Sequence, residues 1–257
     1  MIGVGIIGAG GISQSHANGY LQLPDQVEII AVADLDYERA KLAADRWGAK
    51  HAFSDYRQML QLDQIDAVSV CTFTKAHCQP SIDALTAGKH VLVEKPMATT
   101  VEEVRQIGEL AEEKGLVAMV GHTFLFNSAV RYVKTLIDSG ELGDIRYIYS
   151  QRVNLGRIRN DVDALWNFAP HDLSIIHYWL GNLEPLSVSR FGMDYVQDGI
   201  EDVVFLSVRY PKKILANIHV SWLDPHKIRK MTVVGSKKMV VYDDTHENKI
   251  GFFLSSS

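Results

Sequence analysis

The sequence predicts an α/β protein: a doubly wound parallel sheet in its first half, then an α/β domain with a largely antiparallel sheet. Three observations point there. Short apolar runs alternate with amphipathic stretches over the first 120 or so residues. A glycine-rich turn joins the first apolar run to the first helical pattern. Beyond about Ser128 the rhythm changes to strands in succession with few crossovers.

Each element has its own signal. Ile2–Ile7, Glu28–Ala33, Asp66–Thr72, His90–Val93 and Val117–Val120 are short runs, most of them rich in Val and Ile. Continuous apolar runs suit parallel strands covered on both faces. Between them, helical spacing marks Ile12–Leu23, Tyr37–Trp47, Gln79–Ala87 and Val101–Lys114. Thr100, with Glu103 three residues on, has the spacing of a capping box. In the second half a helix over Ser128–Ser139 ends at Gly140, and another covers roughly Ala164–Leu180. Ile145–Val153, Leu186–Tyr195, Asp202–Tyr210, Ile214–Trp222 and Lys230–Val234 lean to strand. The domains are expected at residues 1–122 and 123–257, with no internal repeat or low-complexity linker. The apolar stripe carrying Trp179 and Leu180 is expected in the core.

Composition excludes several classes. With 257 residues and 47% hydrophobic content, the chain can bury a substantial core. A net charge of −5, with basic residues no more clustered than Lys212–Lys213 or Lys237–Lys238, argues against nucleic acid and anionic membranes. No apolar run reaches the roughly 18 residues of a membrane helix. The N-terminus lacks the basic region of a signal peptide, so the expected compartment is the cytoplasm. Cys71 and Cys78 are not expected to form a structural disulfide, and Cys71 reads as core. His16, His51, His77 and His90 lack metal-ligand spacing, so no metal is expected. No G-x-S-x-G elbow supports a serine hydrolase.

The turn Gly8-Ala9-Gly10-Gly11-Ile12-Ser13 follows a strand and opens a helix. Gly8 permits the tight turn, Gly10 lets backbone approach a pyrophosphate, and Ser13 is small enough for close helix–strand packing. Free N–H groups at the helix start suit phosphates. The plainer alternative is a glycine-rich turn with no ligand. Asp34 ends the second strand, where a carboxylate would hold the adenosine ribose hydroxyls of a dinucleotide in a Rossmann domain. Capping of the following helix is its alternative role. An acid there repels a 2′-phosphate, so NAD is expected over NADP.

The run Gly88-Lys89-His90-Val91-Leu92-Val93-Glu94-Lys95-Pro96 resembles the glucose–fructose oxidoreductase, inositol dehydrogenase and MocA family. The resemblance extends through the glycine loop, Cys71-Thr72-Phe73-Thr74 with His77, Gly121-His122-Thr123 and Ala169-Pro170-His171-Asp172. It implies a Rossmann domain followed by an open antiparallel sheet, and a cis bond before Pro96. It also implies hydride transfer between nicotinamide and a hydroxyl-bearing carbon of a sugar or cyclitol. The segment Tyr149–Trp166 is most similar to the sugar-nucleotide 3-dehydrogenases, which act on a UDP-N-acetylhexosamine or its uronate. Against the family pattern, Asn167 stands where many members carry aspartate, and the chain stops early, near Ser257. The second sheet is therefore expected to be incomplete. An open sheet face is expected to drive homo-oligomer formation.

Alcohol oxidation needs one group to take the hydroxyl proton and another to polarise the oxygen. Lys95, at the carboxyl end of a strand, is the first candidate; an exposed turn lysine is the alternative. His171 is the candidate base or relay; the alternative is a cap on a helix following Pro170. Asn167 would orient it. Glu94 is expected to support the cofactor end, or to pair with a neighbouring lysine. Thr72 and His77 are expected within reach of the cofactor. Arg157 and Arg159 would grip a substrate phosphate or carboxylate, or line a solvated loop. The competing reading is a non-catalytic dinucleotide sensor.

Overall fold

The computed structural model describes residues 1–156, 158–160 and 162–254. It divides into two compact units, Met1–Gly121 and His122–Ser257.

In the first unit the chain runs β1 (Ile2–Ile7), α1 (Ser13–Leu21), β2 (Val27–Ala33), α2 (Tyr37–Trp47), β3 (His51–Phe53), α3 (Tyr56–Leu60), β4 (Ala67–Val70), α4 (Cys78–Thr86), β5 (His90–Val93), α5 (Val101–Lys114) and β6 (Ala118–Val120). The six strands lie in the order β3-β2-β1-β4-β5-β6, all parallel. Successive residues of the strands feed different clusters. Ile6, Ile29 and Val32 pack with Ala17, Ala40, Ala44 and Trp47 of α1 and α2. Ile7, Ile30, Val68 and Val91 pack with Leu60, Leu85 and Ile107. Because side chains alternate along a strand, these clusters occupy opposite faces, and the sheet is doubly wound. Asp36 caps α2 through the Arg39 N–H. The capping box at Thr100 and Glu103 is formed, and α5 ends at left-handed Gly115.

The second unit contains α6 (Ser128–Asp138), β7 (Ile145–Leu155), α7 (Ala164–Trp179), β8 (Ser187–Met193), β9 (Val203–Arg209), β10 (Leu215–Ser221), β11 (Leu223–Gly235), β12 (Lys238–Asp243) and β13 (Ile250–Leu254). Their order is β13-β12-β11-β7-β10-β9-β8. The pairing is antiparallel except between β7 and β10, which run parallel. α6 and α7 cover one face, burying Val130, Val133, Ile175, Ile176 and Trp179 against Ile148, Ile218 and Val233. Trp179 is core as expected, and its indole N–H donates to Val130 O at 2.9 Å.

Four elements were not anticipated: β3, α3, β12 and β13. β3 has three residues and α3 five, too short to display a period. The expected strand over Lys230–Val234 is the end of a strand beginning at Leu223. Both cysteines are free thiols. No helix among the described residues is long and apolar enough to cross a membrane.

Candidate active site

In the first unit, the glycine loop leaves β1 at Gly8, whose φ is +93°. A Cβ there would lie 2.9 Å from the carbonyl of Cys71, so only glycine lets β1 and the end of β4 approach this closely. At Gly10 and Gly11 a Cβ would meet no atom within 4 Å, so the loop backbone is bare on its outer side. Ser13 is buried, and its hydroxyl donates to Gly10 O at 2.5 Å, closing the loop on itself. α1 begins without a side-chain cap or an acid in its first turn, leaving its first N–H groups to an anionic ligand. These features fit the pyrophosphate of a dinucleotide.

Asp34 does not cap α2; Asp36 does. One Asp34 oxygen accepts the Ala9 N–H at 2.8 Å and the other the Asp36 N–H at 2.9 Å. The carboxylate thus pins the glycine loop and keeps lone pairs for ribose hydroxyls. Arg39 stands 3.6 Å from it.

Thr72, Glu94 and Lys95 gather at the carboxyl ends of β4 and β5, beside the point where strand order reverses between β1 and β4. Open α/β sheets bind ligands at that edge. The Lys95–Pro96 bond is cis, as the resemblance implied. Glu94 is buried and pairs with His16, whose Nε2 lies 2.9 Å from Oε1. Its Oε2 accepts the Lys95 N–H at 3.2 Å. Burial pushes the Glu94 carboxyl up, but the His16 hydrogen bond and charge and the Lys95 N–H and charge together hold it below its ordinary range. Glu94 is therefore an anion at the sheet edge. Burial, with the Glu94 charge adding, raises the neighbouring Cys71 thiol, so it stays protonated.

His77 departs from expectation. It is 1% exposed, with Nδ1 2.8 Å from Pro96 O and Nε2 3.0 Å from Thr72 O. Both ring nitrogens face main-chain carbonyls, so the ring does not reach out to a cofactor. Thr72 turns its hydroxyl to Ala76 O at 3.1 Å.

In the second unit, His171 lies in the middle of α7, whose N-cap is Asp163; it does not begin a helix after Pro170. Asn167 stands one turn earlier, on the same face. Its Oδ1 is 3.4 Å from Arg159 Nη1, which brings Arg159 and Asn167 together. Arg157 lies outside the described residues. Beneath this group, the Phe124 ring meets His171 edge-on at 5.0 Å and carries the Arg152 guanidinium at 4.7 Å on its face. Arg152 and Asp172 form a buried pair, with Nε 3.0 Å from Oδ2 and Nη2 2.9 Å from Oδ1. Sequence reading missed Arg152, Asp172, Phe124 and the His16–Ser69–Tyr20 cluster. One signal was available: Arg152 shares strand parity with Ile148 and Ser150, the inward face of β7.

Residues 2–122 match the oxidoreductase family described by its NAD-binding Rossmann fold, and residues 130–241 match the GFO/IDH/MocA C-terminal domain. Over 188 residues the chain is 34% identical to a 4-carboxy-2-hydroxymuconate-6-semialdehyde dehydrogenase of a Sphingobium species, covering 70% of this chain and 59% of that enzyme. It also resembles the inositol 2-dehydrogenase of Salmonella typhimurium, 26% identical over 182 residues, 69% of this chain and 54% of the relative. The chain thus spans little more than half the length of these relatives. Among solved structures, the WlbA dehydrogenase from Bordetella pertussis, a complex with NADH and UDP-GlcNAcA, has a TM-score of 0.88 at 24% identity, covering 100% of this chain and 82% of that one. Both halves match domains of one family, in that family's order, and the chain accordingly belongs to the Gfo/Idh/MocA oxidoreductases.

Proposed function

We propose that this chain carries the active site of an NAD-dependent dehydrogenase acting on a secondary hydroxyl of a sugar or nucleotide sugar. The observation that carries this reading is Lys95, set at the ligand edge of the parallel sheet between a buried anionic Glu94 and the cis bond to Pro96. The glycine loop, the start of α1 and Asp34 would hold the dinucleotide, with Thr72 and Glu94 near its nicotinamide end. When bound, nicotinamide supplies the hydride acceptor for the carbon bearing the hydroxyl. Lys95 orients and polarises the hydroxyl oxygen. His171 takes its proton, and Asn167, neutral but able to hydrogen-bond, orients the imidazole. Arg159, with Arg157 in the same segment, binds an anionic group of the substrate.

That anion makes a UDP-N-acetylhexosamine or its uronate, oxidised at C3, the favoured substrate. The WlbA complex with UDP-GlcNAcA supports it. A second reading is a carboxylated compound that is not a sugar, favoured by the 34% identity to the semialdehyde dehydrogenase. In both, an arginine meets a negative charge.

The test is a nicotinamide-absorbance screen of nucleotide sugars, carboxylated alcohols, free sugars and inositols with NAD. Anionic compounds should be turned over faster than neutral polyols. Lys95→Met and His171→Ala should each lower kcat by about 10²–10⁴-fold while NAD affinity changes little. Preference for neutral polyols removes the role given to Arg159. Full turnover in either variant removes the catalytic assignment, and tight NAD binding with no turnover of any hydroxyl compound favours the sensor.

A further inference from the structure

Lys95 is flanked on both sides by residues that histidines hold in place, a half-buried His16 and a buried His77. On its N-terminal side, Glu94 Oε1 receives His16 Nε2 at 2.9 Å, and Glu94 Oε2 receives the Lys95 N–H. His16 Nδ1 in turn lies 3.2 Å from Ser69 Oγ, which is 2.6 Å from the Tyr20 hydroxyl. Nε2 donates to the carboxylate, and Nδ1, Ser69 Oγ and the Tyr20 hydroxyl continue the chain by hydrogen bonds. A Cβ at Gly121 would approach Glu94 Oε1 to 3.2 Å, so the β6 end leaves room for the carboxylate. On the C-terminal side, His77 bridges Pro96 O and Thr72 O, tying the Lys95 turn to the end of β4. The two histidines come from different elements and reach the turn independently.

We propose that His16 and His77 are positioning residues for Lys95, acting through Glu94 and Pro96 to fix the backbone from which its side chain extends. The inference rests on the catalytic reading of Lys95. A lysine has a long flexible stem, so its amine can be delivered to one point only if the stem's origin is fixed. A misplacement of about 1 Å costs on the order of 10²-fold in rate. An apolar side chain could fill the volume of either ring but would leave the Glu94 carboxylate, or the carbonyl that receives the His77 N–H, without that donor.

The experiment compares His16→Leu and His77→Leu with His16→Gln and His77→Gln, whose amide N–H groups can donate to the same acceptors. Measured on the full chain are the thermal midpoint, kcat, KM, NAD affinity and the NMR resonance of 13C-methylated Lys95, assigned with Lys95→Arg. The Leu variants should shift that resonance and lower kcat by about 10²-fold, with KM and NAD affinity within a few-fold. The Gln variants should restore both the resonance and most of the turnover. Leu variants with unchanged resonance and unchanged kcat overturn the proposal. If a Leu variant fails to fold, the Gln variant decides. Wild-type resonance with full turnover supports a positioning role, and wild-type resonance with hundredfold lower turnover overturns it. If the unsubstituted protein turns over nothing, the catalytic reading falls by itself. The resonance still reports whether the histidines hold Lys95: a shift in the Leu variants supports the brace, and an unchanged position sinks it.

Discussion

Asp34 accepts the Ala9 N–H on one oxygen and the Asp36 N–H on the other, so an amide in its place loses the charge and keeps only one of the two hydrogen bonds. NAD should bind more tightly than NADP, because the carboxylate accepts ribose hydroxyls and repels a 2′-phosphate. Asp34→Asn keeps an oxygen for Ala9 and removes the charge. NAD affinity should fall about tenfold, the cost of a charge-assisted hydrogen bond, and the gap to NADP should narrow. Arg39→Ala should widen the gap, since Arg39 is the cation beside that position. Fluorescence titration of NADH and NADPH measures both; equal or tighter NADPH binding by the unsubstituted protein would refute the assignment. The positions of Asp34, Gly8 and Lys95 were legible because each belongs to a motif whose spacing encodes backbone geometry. The partners of Glu94 were not. His16 lies 78 residues from it, and no local pattern announces a hydrogen bond over that separation. His77 was legible as a residue near the strand edge but not as one whose ring faces two carbonyls.

Between β9 and β10, Ile214 N–H donates to Pro211 O at 3.3 Å, and the two central residues, Lys212 and Lys213, have φ of 59° and 60°. That is a type I′ turn, which matches the twist of a hairpin but favours Asn-Gly. Two lysines in the left-handed region cost about 1 kcal/mol or more each. Replacing them by Lys212→Asn and Lys213→Gly should raise the thermal midpoint by roughly 2–4 °C, part of the relief being offset by the freedom glycine adds to the unfolded chain. A lowered or unchanged midpoint by calorimetry would count against the strain. Elements were legible where a period had room to repeat or a cap marked an end. α2 and α5 occupy the expected residues, and Pro170 did not hide α7. β13 escaped because Gly251 interrupts a run of five residues.

The face of the second sheet opposite α6 and α7 is a mosaic of large side chains. Tyr147, Tyr149, Phe191 and Phe205 are all exposed, Phe191 at 78%. Cross-strand pairing sets Phe191, Phe205 and His219 in one row, with the Phe205 and His219 rings stacked at 4.3 Å. A patch of this kind is expected to be covered by a second copy of the same face, since twofold association matches a surface to itself. Light scattering should find a species larger than one chain, and Tyr149→Glu with Phe205→Glu should reduce its mass. A monomer before substitution would remove the idea. The fold class was legible at this scale because alternation of elements is a long-range pattern written continuously along the chain. The parallel pairing of β7 with β10 was not, since a strand's residues do not disclose its neighbour's direction. That pairing also orders events during synthesis. In the first unit Val4 meets Ile29, and each βα piece can dock as it emerges. Ile148, at the centre of the second sheet, pairs with Ala216 on one side and Val233 on the other. β7 must therefore wait for β10 and β11, and until they are made its edges are the ones a chaperone or a neighbouring nascent chain would find.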